Sequence, residues 1–432
     1  MIPLMHRRRL LFLTTNLSLI LALIMAQLLQ SAQALESKTI YQMHEDNVFQ
    51  IRVLNRETGK KSSIGSGFIV ADGRRVATNF HVISQIVSEP ERFYVSYLGK
   101  NGDSGELKLL GLDIAHDLAL LGSDQILGKA NKTRPLPPKG SPIFAMGNPH
   151  DLGLTIAVGT NGGILNQTDD SRILFSGSLN PGMSGGPTFN DSGEVVGINV
   201  ATSRNAISFI VPSVYLNRLI QQVEQRPITA DRDLKSEVAQ QLINYENGYL
   251  QDVLAEDWPK VQIRQLSVPG AISPTVRCWD NSRKLADKAL YKRYQIRCAN
   301  QNQVYLDSQN KFVGNLTYDY FWLESEQLNT LQFYNLYQKL NKVQIEGRVS
   351  QEVVSNFHCK TWFVDVSKQD FKTSLCRRDY VDYEGLSDIL FTTALTGHSN
   401  KGFFVRLTMT GIDFQASLPL VQKFMENIEW TP

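Results

Sequence analysis

Cysteine is scarce in this sequence. There are four in 432 residues and none before Cys278. Everything upstream must therefore hold together by packing, without disulfide staples. No C-x-x-C pair occurs, which leaves a zinc site little support, although His358 precedes Cys359. Net charge is nearly absent too, at +2, and the basic residues are scattered. That argues against a nucleic-acid partner, which would call for a basic stripe. Beyond the N-terminus no segment is long and apolar enough to span a bilayer. Histidine is rare, at seven residues, so any histidine chemistry has few places to reside. What is present is ordinary globular composition, 42% hydrophobic and 20% charged. The length suggests two to four domains.

The N-terminus reads as a targeting segment. His6 and Arg7 to Arg9 form a positive patch, Leu17 to Leu29 is the cleanest apolar core, and Ala32-Gln33-Ala34 is a small-residue exit. The pattern is that of a secretory signal peptide over 1–34, cut after Ala34. The alternative is an uncleaved anchor, since the apolar run from Leu10 to Leu29 approaches the ~20 residues that span a bilayer. Either way the remainder is exported, to a periplasmic or extracellular location, and a membrane partner arises only if the segment is kept. Export also permits disulfides.

Residues 40–225 read as an all-β domain, with short apolar runs such as SGFIVA, DLALL and EVVGINVA set between Gly, Asp, Asn and Pro clusters. Val214 to Glu224 then has helical spacing behind Pro212-Ser213. Residues 226–257 are expected to be a linker with a helix. The stretches 258–345 and 346–432 read as two related α+β copies, each with one cysteine pair: Cys278 with Cys298, and Cys359 with Cys376. Free thiols or a metal are the alternative for these four.

One stretch carries more chemistry than the rest: NPGMSGGP, Asn180 to Pro187. Glycines and prolines make turns, but here they also leave Ser184 uncrowded. A serine hydroxyl is a weak nucleophile and needs a base, and the base needs a carboxylate to orient it. His81 in RVATNFHVI and Asp117 in AHDLALL are candidates, with Asp113 a rival for the acid. The order His81, Asp117, Ser184 is that of chymotrypsin-type sites. His116 reads as a surface loop residue, His44 and His150 as solvated loop residues, and Asn79 as a backbone-bonding residue.

In this order GSGFIV, TNFHV, DLALL, GNP, NPGMSGGP with GEVVGIN, and SFIVPS resemble the protease domain of the Deg/HtrA family over roughly residues 45–225. The resemblance implies two six-stranded β-barrels with the site in the cleft between them. It implies Ser184 as nucleophile, His81 as general base, Asp117 as its orienting acid, and the N–H groups of Gly182 and Ser184 as the oxyanion hole. It needs no cofactor and no metal. Ser178, six residues before the nucleophile, would floor the primary pocket, with Asn199, Val200 and Ala201 as one wall and Phe209 and Ile210 nearby. An uncharged Ser178 suggests small or medium apolar residues before the scissile bond. The loop His150 to Asn161 would be the place for gating.

After residue 225 the family's Gly-Leu-Gly-Phe-like peptide-binding loop is missing, so cage assembly, chaperone action and carboxyl-terminus sensing are not carried over. The expected function is an exported serine endopeptidase acting on protein or peptide substrates, with a homo-oligomer compatible. The alternative is a latent or retired protease scaffold that serves as an envelope binding protein.

Overall fold

Short apolar runs closed by turn residues cannot bury themselves alone, and here they close on one another twice. In the computed structural model, which describes residues 36–165, 171–200, 208–226, 232–282, 289–300, 304–307, 311–342 and 353–431, the first closed barrel holds β1 (Val48–Asn55), β2 (Lys61–Val70), β3 (Arg75–Thr78), β4 (Phe93–Leu98), β5 (Ser104–Asp113) and β6 (Leu118–Gly122). Its order is β1-β2-β3-β6-β5-β4, antiparallel throughout. The second holds β7 (Pro142–Gly147), β8 (Thr155–Ile164), β9 (Ile173–Phe175), β10 (Pro187–Phe189), β11 (Val195–Val200) and β12 (Ser208–Pro212). Read from β7, its order β7-β8-β9-β12-β11-β10 repeats the topology of the first. Closure removes the open edges of both sheets. The fold is thus the expected chymotrypsin-like pair of barrels. The stretch 1–34, read as a signal peptide, lies outside the described residues.

The unbroken apolar run of β6 shows why the barrels associate. Side chains alternate across a strand. Ala119 and Leu121 enter one core, while Leu118 and Leu120 enter a second that also holds Phe144, Met146 and Phe189 of the other barrel. Both faces of β6 are buried, so neither can be polar.

The C-terminal region is α+β. Strands β13 (Lys260–Ile263) and β14 (Leu266–Pro269) form a small sheet with β24 (Glu429–Trp430). The main sheet has seven antiparallel strands: β15 (Val276–Asp280), β16 (Lys292–Asn300), β19 (Leu316–Glu324), β20 (His358–Val366), β21 (Gln369–Asp379), β22 (Leu386–Leu395) and β23 (Lys401–Asp413). Their order is β15-β16-β19-β23-β22-β21-β20. Strands β17 (Val304–Asp307) and β18 (Lys311–Val313) make a separate hairpin. The stretches 258–345 and 346–432 therefore share one sheet, joined where β19 pairs with β23. Cysteines sit directly opposite each other at its two edges, joined as Cys278–Cys298 and Cys359–Cys376.

The helix Leu234–Ala255 starts at an Asp233 cap, whose carboxylate accepts from the Ser236 N–H. It lies in the stretch read as a linker, yet both of its ends are packed. Val238, Ala239 and Leu242 enter the core of the first barrel, while Tyr249, Leu250 and Val253 enter the core of the seven-stranded sheet. Nothing in composition separates a tether from a helix buried at both ends.

Candidate active site

His81 and Asp117 lie on neighbouring turns of the first barrel. His81 is the second residue of a one-turn helix, Phe80–Ile83, that follows β3. The first N–H groups of any helix lack partners inside it. Asp117, in the turn between β5 and β6, supplies two: its carbonyl accepts from Phe80 N–H at 3.1 Å and its Oδ1 from His81 N–H at 2.9 Å. Its Oδ2 lies 2.6 Å from His81 Nδ1. Asn79 completes the turn by donating its side-chain N–H to the Asp117 carbonyl at 2.8 Å. Asp117 is buried and sits in the left-handed region, φ 56°, where an aspartate is one of the few tolerated side chains. The imidazole keeps an exposed side, a quarter of its surface.

The rival acid is engaged elsewhere. Asp113 holds His116 Nδ1 at 2.8 Å, and the His116 ring stacks on Tyr215 at 3.6 Å between centroids. His116 is thus a packed residue and not a free loop residue. His44 also differs from the solvated reading. It ends a helix, is buried, stacks on Phe189 at 4.0 Å and shares a hydrogen bond with Asn131 at 2.8 Å. Burial holds its imidazole below the ordinary value, Lys129 acting in the same direction and the Asn131 bond against it. His150 is exposed.

Ser184 comes from the second barrel, on the turn leading into β10. The turn is knit by Met183 N–H to Asn180 O and Gly186 N–H to Met183 O. Gly182 has φ 95°, and a Cβ there would lie 2.4 Å from the Asn148 carbonyl oxygen. Gly185 has φ 83°, and a Cβ there would lie 2.9 Å from the Asn79 nitrogen, two residues from His81. Glycine at 185 lets the serine turn approach the histidine turn of the other barrel, and glycine at 182 lets it lie against the Asn148 connection of its own barrel.

Ser66, in GSGF on β2, was not singled out from sequence. It is fully buried and ties the two barrels at the site. Its N–H donates to the Ser184 carbonyl at 2.7 Å, its hydroxyl donates to the Gly182 carbonyl at 2.7 Å, and that hydroxyl accepts from Asn148 N–H at 2.8 Å. The signal was a small polar residue in GSGFIV, the buried half of a strand that opens with polar residues, but its partners are remote in sequence.

The residues read as pocket are placed less uniformly. Ser178 is exposed. The Asn199 side chain turns into the barrel, donating to Met146 O at 2.8 Å and accepting from the Thr188 hydroxyl at 2.5 Å. Val200 packs into the core shared by the barrels, and Ile210 into the core of the second. Wall contributions from Asn199 and Val200 would thus come from backbone. Ala201 lies outside the described residues. Of the stretch read as a gating loop, most is β8; His150 and Asp151 form a short turn before it. Asp151 is tied to the first barrel by Lys61 and by Gln50 at 2.8 Å, and these bonds, Lys61 foremost, hold its carboxyl below the usual range.

Two antiparallel barrels of matched topology, with this histidine–aspartate pair and glycine-framed serine where they meet, define a trypsin-like peptidase domain. Residues 65–198 match the trypsin-like peptidase domain in sequence. Human serine protease HTRA3 is 30% identical over 181 residues, 38% of this chain and 39% of that protein. A probable periplasmic serine endoprotease DegP-like from Marinomonas sp. is 32% identical over 192 residues, 39% of this chain and 37% of that one. A serine endoprotease of solved structure from Yersinia pestis is 25% identical, covering 45% of this chain and 68% of that one, with a TM-score of 0.39. The domain is a Deg/HtrA-like serine protease domain. The alignments span about two fifths of the length of these curated relatives.

Proposed function

We propose that the chain is an exported serine endopeptidase. Ser184 Oγ attacks the scissile carbonyl as His81 Nε2 takes its proton. The tetrahedral oxyanion is held by the N–H groups of Gly182 and Ser184. Collapse breaks the C–N bond, and His81 returns the proton to the leaving amine. Water then attacks the acyl-enzyme by the same route and frees Ser184. Asp117 fixes the proton on His81 Nδ1, so that Nε2 presents its lone pair, and stabilises the imidazolium that forms. The observation that carries this reading is the doubly bonded Asp117–His81 pair, with both carboxylate oxygens satisfied by one residue.

The finer parts belong to the same proposal. A small or medium apolar residue is preferred before the scissile bond, since Ser178 offers no charge to a lysine or arginine. Export is supported by the N-terminal pattern and by likeness to a protein described as probably periplasmic. Among the described residues no helix is long and apolar enough to cross a membrane.

The test is peptidase activity of the purified chain against Ser184→Ala. Loss of cleavage in the variant supports the proposal, and equal activity in both overturns it.

A further inference from the structure

The hairpin β17–β18 belongs to the C-terminal region, yet one of its faces meets His81. The register explains how. Val304 lies opposite Val313, and Tyr305 opposite Phe312. Opposed residues in an antiparallel pair share a face, and neighbours alternate. Val304, Leu306 and Val313 are buried in the core that also holds Phe80 and Ile83 of the histidine turn. Tyr305 and Phe312 therefore stand together on the other face. Tyr305 meets the His81 ring edge-on at 5.5 Å and Phe80 at 6.3 Å. Phe312 stands edge-on to Tyr305 at 5.6 Å and is 43% exposed.

This aromatic step is anchored where the chain leaves it. The chain leaving the hairpin is held by Gly314 N–H to Thr410 O at 2.8 Å and by Asn300 Nδ2 to Gly314 O at 2.7 Å. The same region also braces the aspartate turn. Gln241, on the helix Leu234–Ala255, donates to Leu112 O at 3.0 Å and accepts from Ile114 N–H at 3.0 Å, at the end of β5. The C-terminal half is thus built into the His81 side of the site.

His81 must pass a proton to the leaving nitrogen, so the substrate residues flanking the scissile bond lie against its imidazole. A side chain extending past that ring would meet Tyr305 and then Phe312. We propose that Tyr305 and Phe312 form a second specificity wall, which takes an apolar or aromatic substrate side chain next to the residue held in the primary pocket. This rests on the endopeptidase reading above. Both rings bring apolar surface, and Phe312 leaves much of its own open to water, a cost that an apolar substrate side chain would remove.

The test uses the full chain, with Tyr305→Ala, Phe312→Ala and Tyr305→Phe. Active sites are first counted with a fluorophosphonate probe. kcat/KM is then measured on quenched peptides that share one primary-pocket residue and carry Phe, Leu, Gly or Asp at each flanking position. The wild-type protein is expected to favour Phe or Leu over Gly at one flanking position. That ratio should fall about tenfold in either alanine variant, within the range known for single apolar contacts, and persist in Tyr305→Phe. Phe312→Ala removes an exposed ring, so it tests the wall even if Tyr305→Ala fails to fold. An unchanged ratio in Phe312→Ala overturns the proposal. So does a uniform gain on all four peptides, which would make the hairpin a cover instead of a wall. A wild-type protein that neither labels at Ser184 nor cleaves would instead refute the endopeptidase reading, a separable result.

Discussion

Asp117→Asn tests the logic of the site with a change of one atom type. The aspartate has two acceptor oxygens, each facing a donor: Oδ1 faces the His81 backbone N–H at 2.9 Å, and Oδ2 faces His81 Nδ1 at 2.6 Å. Asparagine offers one oxygen and one NH₂. The backbone N–H can only donate, so the amide oxygen must take that side. The NH₂ is then left facing Nδ1, which can pair with it only by giving up its proton. The neutral imidazole would carry its proton on Nε2, the atom that must accept from Ser184. Packing hardly changes, since the two side chains are isosteric, and stability should move little. Turnover should fall by about 10⁴, the size seen when a triad histidine is held in the wrong tautomer. The assay is kcat on a quenched peptide, alongside the rate of fluorophosphonate labelling, with circular dichroism to confirm the fold. A folded Asp117→Asn protein that keeps more than a tenth of wild-type kcat would refute this reasoning.

The remaining expectations concern the frame around the site. Gly182→Ala should lower kcat by about 10²–10³ with little change in KM, as expected for losing one oxyanion donor. The new Cβ must move the Asn148 carbonyl, 2.4 Å away, at a backbone φ of 95°, and a folded variant with kcat within threefold of wild type would contradict it. His44 gives a pH dependence. Its folded-state value is depressed, so below about pH 6.5 the unfolded chain binds a proton that the folded chain refuses. Stability should fall with pH there, by at most about 1.4 kcal/mol per unit, until His44 itself protonates in the fold. Urea midpoints at pH 5 and 7 should differ less in His44→Gln, and an identical difference would refute the assignment. A chain ended after Gln225 would uncover the apolar face that Val238, Leu242, Val304 and Val313 close. It should aggregate or melt at least 10 °C lower, and a soluble fragment with an unchanged melting temperature would contradict this.

Some of this was written in the sequence and some was not, for a physical reason. The barrels were legible because each strand announces itself locally, as apolar residues between turn residues. His81, Asp117 and Ser184 could be named because each rides on a short motif whose glycines and polar residues serve the turn beneath it. Ser66, Gln241 and Tyr305 act through partners more than 100 residues away, and no local pattern encodes such a pairing. The family resemblance implied Asn199 and Val200 as pocket lining. Strand alternation puts their side chains on opposite faces of β11, and both faces are buried: Asn199 bonds to Met146 and Thr188, while Val200 packs into the core shared by the barrels. His44 looked like a loop histidine because its helix is short and its partners, Asn131 and Phe189, are remote. The joining of 258–345 to 346–432 rests on the β19–β23 pairing, and pairing between distant strands is what one sequence says least about.

The most direct measurement is fluorophosphonate labelling of the purified chain, with the modified residue mapped by mass spectrometry and Ser184→Ala as control. Labelling on Ser184 and none in the variant is the predicted result, because only a serine with an oriented base reacts. A folded wild-type chain that stays unlabelled would contradict the claim that these two barrels assemble a working serine peptidase.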